Sequence, residues 1–141
     1  MNDAVLLSVD EHVATITLNR PERRNAMSPD LLEGFGEAVE AVGGDSSVRA
    51  VVVTGAGRGF CAGADFSTMP TFAEASGLDG VLGTRAAIEM LYEGFLCLGR
   101  LEVPTIAAIN GAAIGGGMGL ALQCDIRIVA QDAKLAVNFA K

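Results

Sequence analysis

Twice in this chain an apolar, β-branched run opens directly into a glycine-rich loop: residues 49–54 into residues 55–63, and residues 104–110 into residues 111–117. Neither run alternates apolar with polar residues, so each reads as a strand covered on both faces, as in parallel sheets flanked by helices. A chain that leaves such a strand through glycine can bring backbone N–H groups close to a ligand, because no side chain stands in the way. Folds of the α/β class place their ligand sites at these strand ends.

The remaining pattern fits that class. Residues 5–9 and 13–18 are short β-branched runs joined by Asp10, Glu11 and His12, which predicts a hairpin, and residues 19–25 form a polar loop. Ser28 before Pro29 predicts an N-cap with proline at the first helical position. Leu31, Phe35, Ala38, Val39 and Val42 then repeat at helical spacing until Gly43 and Gly44 stop them. Residues 65–83, interrupted by Pro70, Gly77 and Gly80, read as irregular. A helix is expected over about 84–99, a short one over 118–123 and a strand over 126–130. Strand and helix alternate, so the class is α/β, in one unit spanning residues 1–141. Residues 134–141 stop in the middle of an apolar pattern, with no cap or polar tail, as a shortened chain would.

Composition removes several functions. Asp and Glu number 17 against 10 Lys and Arg, a net charge of −7, so no basic field awaits a nucleic acid. Residues 1–10 lack a basic start and carry Asp3, unlike a secretion signal. No apolar run approaches membrane-spanning length. Cys61, Cys97 and Cys124 form no Cys-x-x-Cys pair, and His12 is the one histidine, so neither a metal site nor a Ser-His-Asp triad is expected. Three unpaired thiols read as reduced and partly buried, in a cytoplasmic protein.

The glycine loops fail the nucleotide motifs. The third glycine of a dinucleotide fingerprint would fall on Phe60 in one loop and on Leu120 in the other. Neither loop carries the Gly-Lys-Ser/Thr of a phosphate-cradling loop. Two readings are left. The glycines permit tight turns and close helix packing, or two N–H groups converge to hold a carbonyl oxygen as it becomes an oxyanion.

Two blocks favour the second: Gly59-Phe60-Cys61-Ala62-Gly63-Ala64-Asp65, and residues 108–117, Ala-Ile-Asn-Gly-Ala-Ala-Ile-Gly-Gly-Gly, followed by Cys124-Asp125-Ile126-Arg127. Together with Leu18-Asn19-Arg20-Pro21 and Asn25-Ala26-Met27, they closely resemble the enoyl-CoA hydratase/isomerase (crotonase) superfamily, in order and across essentially the whole chain. The resemblance implies a spiral of β-β-α units, truncated before a C-terminal helical region. It implies an acyl-CoA thioester as substrate, with coenzyme A part of the substrate and no separate cofactor, and assembly into a trimer or hexamer. It carries the two oxyanion donors onto the N–H groups of Ala62 and Gly116. Ala62, Gly63, Ala64, Asp65, Gly115 and Gly116 would line the CoA thioester, with Asp65 fixing its loop. Arg23 and Arg24 would lie near the nucleotide end.

The chain also departs from the family. Hydratases place one glutamate three residues after the oxyanion glycine and a second after the strand that follows Cys-Asp; here those positions are Gly119 and Phe139. Neither can transfer a proton. Substitute acids are sought in Glu74, Asp79, Glu89 and Glu93, or beyond residue 141. Phe66, Met69, Phe72 and Leu78 are candidates for an acyl pocket. Three functions are therefore open: an acyl-CoA enzyme, an acyl-CoA binding module without turnover, and a fragment with no function of its own.

Overall fold

The computed structural model describes residues 2–137. Strands β1 (Val5–Asp10) and β2 (Val13–Leu18) form the expected antiparallel hairpin, with Val5 opposite Leu18 and Asp10 opposite Val13. Glu11 and His12 make the turn with φ of 42° and 71°, the left-handed twist a two-residue hairpin connection requires. The His12 Nδ1 lies 2.8 Å from the Ser47 carbonyl oxygen, so the one histidine has a structural partner.

Helix α1 (Pro29–Gly43) starts where the cap predicts, with the Leu31 N–H donating to Ser28 Oγ at 3.3 Å. It buries Leu31, Leu32, Phe35, Ala38, Val39 and Val42.

From here the chain repeats a circuit. Strand β3 (Ala50–Gly55) is followed by β4 (Gly59–Cys61) and helices α2 (Met69–Ser76) and α3 (Gly80–Leu96). Strand β5 (Thr105–Ile109) leads to β6 (Ala112–Ile114) and α4 (Gly116–Gln123), and β7 (Ile126–Val129) leads to β8 (Leu135–Ala136). Strands β3, β5 and β7 join the hairpin in a sheet ordered β1-β2-β3-β5-β7, parallel from β2 onward. Strands β4, β6 and β8 form a second parallel sheet. Each circuit thus adds one strand to each sheet, which is the β-β-α spiral. Ile16, Leu18, Phe35, Val53, Phe60, Phe95 and Ile109 meet in one apolar core. Each is worth roughly 1.5–3 kcal/mol on burial.

Three expectations are corrected. Residues 65–83 are not irregular: they contain α2 and the start of α3, which begins at Gly80 rather than near residue 84. Pro70 sits in the first turn of α2, where its missing N–H costs no intrahelical bond. Strands β4, β6 and β8, of two or three residues each, were not anticipated, because runs that short carry no readable period. Last, β3 and β5 are buried on one face only. Val51, Val53, Ala107 and Ile109 are covered, whereas Val52 and Ile106 behind them are half-buried and β7 is exposed along its length.

Candidate active site

Two asparagines hold the glycine loop between β3 and β4. Asn25, completely buried and left-handed at φ 54°, donates through Nδ2 to the carbonyls of Ala56 (3.0 Å) and Gly59 (2.9 Å). Its Oδ1 accepts from the Arg20 N–H at 2.8 Å. From the other side Asn110 donates to the Gly55 and Gly57 carbonyls, at 2.8 and 3.1 Å, and accepts from the Gly55 N–H at 3.2 Å. Asp125, the acid of the Cys-Asp pair, accepts from the N–H and the hydroxyl of Thr105, both at 2.8 Å, and so ties the start of β5 to the start of β7. The Thr105 N–H holds that carboxyl below its ordinary value, with the Thr105 hydroxyl adding to the effect.

Beyond β4 the chain pairs with the segment ahead of α1. Met27 N–H donates to the Gly63 carbonyl at 2.7 Å, and Asp65 N–H donates to the Met27 carbonyl at 3.0 Å. In a trans peptide the carbonyl and the next N–H point opposite ways, so the Ala64 N–H is turned away from Met27. Ala62 N–H instead donates to the Arg24 carbonyl at 3.1 Å. A regular strand would send the amides of Ala62 and Ala64 to the same side. Gly63, at φ 86°, parts them. A Cβ at position 63 would stand 2.7 Å from the Ile114 oxygen and 3.3 Å from the Gly116 nitrogen, so this approach of the two loops requires glycine.

Gly115, at φ 54° and ψ −118°, turns the chain into α4, and Gly116 is the first residue of that helix. Its N–H therefore has no intrahelical acceptor and lies at the positive end of the helix dipole. Gly116 and Ala64 line one apolar cavity of about 400 Å³, whose other walls are Phe66, Thr84, Ile88, Leu91 and Tyr92. A second cavity of about 250 Å³ is lined by Glu22, Arg23, Arg24, Ala26 and Asp65, and shares Ala64 and Phe66 with the first.

The predicted site residues thus divide. Gly116 and Ala64 share a wall, Gly63 and Gly115 shape the backbone that brings them there, and Arg23 and Arg24 border the polar cavity. Ala62 is a correction: its amide is taken by the Arg24 carbonyl, and it lines neither cavity. Asp65 fixes its loop, with Oδ1 accepting from the Ser67 hydroxyl (2.6 Å) and N–H (3.2 Å), and Oδ2 standing 3.5 Å from Arg20. The Ser67 hydroxyl, then the Ser67 N–H and the charges of Arg23 and Arg20, hold the carboxyl below its ordinary value of 3.8. A depressed acid stabilises the fold fully above its unfolded value and loses that contribution as pH falls through the folded one. Asp65→Asn should therefore lower Tm at neutral pH and give a shallower fall of Tm on acidification below about pH 4. Parallel acid limbs by circular dichroism would contradict this role.

Glu74, Asp79, Glu89 and Glu93 are all exposed, and none lines the apolar cavity. Glu89 accepts from Arg85 Nε at 2.8 Å. At Gly119 a Cβ would lie 3.3 Å from Phe95 Cζ, so an aromatic ring borders the place of the first family glutamate. Phe139 lies outside the described residues. Of the proposed acyl-pocket residues Phe66 is in the wall; Leu78 is not, and the side chains of Met69 and Phe72 lie outside the described parts. Thr84, Ile88, Leu91 and Tyr92 were missed as wall residues, although their spacing marks one helix face. Burial pushes the Cys61 thiol up to about 12 and Cys124 up to about 11, so both remain protonated at neutral pH. Among the described residues no three His, Cys, Asp or Glu side chains gather as a metal site, and no helix is long and apolar enough to cross a membrane.

The chain resembles known proteins over most of its length. The family profile for enoyl-CoA hydratase/isomerase matches residues 8–141. A probable enoyl-CoA hydratase of Mycobacterium tuberculosis, EchA14, is 45% identical over 139 residues, covering 99% of this chain and 52% of the relative. Among solved structures, a probable enoyl-CoA hydratase/isomerase from Mycobacterium abscessus is 44% identical with a TM-score of 0.80, covering 94% of this chain and 48% of that one. An enoyl-CoA hydratase from Bacillus anthracis is 36% identical with a TM-score of 0.80, covering 94% and 49%. The chain spans about half the length of the relatives it matches. With the glycine loops, the two-sheet spiral and these likenesses in agreement, the chain belongs to the enoyl-CoA hydratase/isomerase family and has its crotonase fold.

Proposed function

We propose that this chain forms the thioester-holding part of an acyl-CoA enzyme, in which the N–H groups of Ala64 and Gly116 bind the thioester carbonyl and stabilise the enolate derived from it. One observation carries the reading: two residues from separate loops, Ala64 with its amide turned away from Met27 and Gly116 at a helix start, line a single apolar cavity. The acyl chain would enter that cavity. The polar part of coenzyme A would leave past Ala64 toward Arg23 and Arg24, which border the adjoining space. An oxyanion stabilised by amides needs no titratable side chain, which fits a site whose usual first glutamate position is Gly119.

The arginine assignment is tested by changing Arg23 and Arg24 together to alanine. Affinity for butyryl-CoA should fall at low ionic strength, and the deficit should shrink as salt rises, because screening already weakens the pair in the parent protein. Unchanged affinity at low salt by calorimetry would remove both arginines from the site.

A binding module without turnover is the second reading, favoured by the position of all four substitute acids outside the cavity. Hydration of crotonyl-CoA, followed at the thioester chromophore, separates the two: tight binding with no hydration, isomerisation or proton exchange favours the module.

A further inference from the structure

We infer that the site takes an acyl-CoA whose chain is unsubstituted and about eight to twelve carbons long, laid along the face of α3 that carries Leu91, Ile88, Thr84 and Val81. The inference rests on the thioester-holding reading above and names the substrate class of that same site. Leu91 marks the inner end of the path. It is 4% exposed, and its Cδ2 stands 3.8 Å from the place a Cβ on Gly116 would occupy. From Leu91 toward the start of α3, Ile88, Thr84 and Val81 recur at helical spacing and so share one face. Exposure climbs along that face, to 44% at Ile88 and 86% at Val81, and Phe66 walls the same cavity at 82% exposure. The cavity is therefore closed beside the Gly116 amide and open along the helix, where apolar surface is left for a ligand to cover.

The helix also sets the length. At ~1.5 Å of rise per residue, Thr84 lies roughly 10 Å and Val81 roughly 15 Å from Leu91 along the axis. An extended hydrocarbon gains about 1.2 Å per bond, so the wall as far as Thr84 covers about eight carbons and the face as far as Val81 about twelve. Thr84, the polar residue of the stripe, already donates its hydroxyl to the Gly80 carbonyl at 3.1 Å. The ion pair of Arg85 and Glu89 lies on the neighbouring face, with Leu82. A polar substituent on the chain would give up hydration without a donor from this stripe, whereas each methylene laid on it gains about two- to fourfold in affinity, the upper figure for full burial.

The test is calorimetry on the full chain with butyryl-, octanoyl-, dodecanoyl- and hexadecanoyl-CoA, each below its micelle concentration. Kd should fall by about tenfold or more from butyryl- to octanoyl-CoA, fall again to dodecanoyl-CoA, and level off at hexadecanoyl-CoA. Val81→Asp, at a position too exposed to matter for folding, should weaken dodecanoyl-CoA by about tenfold more than it weakens butyryl-CoA. Leu82→Asp puts the same charge on the neighbouring face and should leave the whole series within about twofold of the parent. A Kd independent of chain length would overturn the inference and leave the cradle standing, as would equal effects of the two aspartates or an undiminished gain up to hexadecanoyl-CoA. Failure of every acyl-CoA to bind would defeat the cradle reading, and this inference with it.

Discussion

Replacing Gly116 by proline should cut α-proton exchange of bound butyryl-CoA by roughly 100- to 1,000-fold, the usual cost of deleting one oxyanion donor. Proline removes the N–H without adding charge. Position 116 opens α4, where proline is tolerated because that amide has no intrahelical acceptor. A Cβ there would lie 3.1 Å from Met27 Sδ, the end of a flexible side chain. Gly116→Ala carries the same Cβ but keeps the N–H, so it should lose much less. A proline variant with parent thermal stability and parent exchange rate would refute the role of this amide. Equal losses in both variants would assign the effect to the Cβ.

The largest effect on stability is expected at Asn25. Asn25→Leu keeps the side-chain size but removes a partner of the Ala56 carbonyl and of the Arg20 N–H, and leaves the Gly59 carbonyl only its longer bond from Asn110 at 3.4 Å, in a side chain with no exposed surface. Each buried group left unsatisfied costs about 1–3 kcal/mol, and leucine is additionally strained at φ 54°. A loss of about 3–5 kcal/mol follows, measured by chemical denaturation. The damage should extend to the site, since the Arg24 carbonyl next door accepts from Ala62 and the Met27 pairing orients Ala64. Asn25→Asp keeps the Oδ1 acceptor for the Arg20 N–H but not the donors, so it too should be destabilised. A leucine variant within 1 kcal/mol of the parent would contradict the account of how this loop is held.

Much of the fold was legible because its signals are local. Strands β1, β2, β3, β5 and β7 are β-branched runs, and α1 announces itself through Ser28, Pro29 and a helical stripe. Strands β4 and β6 were hidden because they are made by pairing between loops: nothing within Gly59–Cys61 or Ala112–Ile114 distinguishes a strand from a glycine-rich turn. Helix α2 was obscured by Pro70 and Gly77, which read as breakers and instead mark its first turn and its left-handed end at φ 66°.

The site shows the same division at finer scale. The resemblance pointed to Gly116, and the structure sets that glycine at the start of α4, where its amide has no intrahelical acceptor. The first loop defines a strand segment but not its phase. Choosing between the amides of Ala62 and Ala64 depends on which of them Arg24 engages and on the turn at Gly63, and the Met27 contact that sets this lies far away in sequence. The cavity wall from α3 was likewise missed, because whether Ile88 or Tyr92 faces a ligand depends on where the helix lies.

The proposed polarisation of one thioester carbonyl by the amides of Ala64 and Gly116 can be measured. Isotope-edited infrared spectroscopy of butyryl-CoA carrying ¹³C at that carbonyl reads the polarisation directly. Two N–H donors drawing electron density toward oxygen should shift the C=O stretch of the bound ligand to lower frequency than in water, and Gly116→Pro should abolish part of that shift. A bound carbonyl that vibrates at its free frequency in the parent protein, or a shift unaltered by Gly116→Pro, would contradict it.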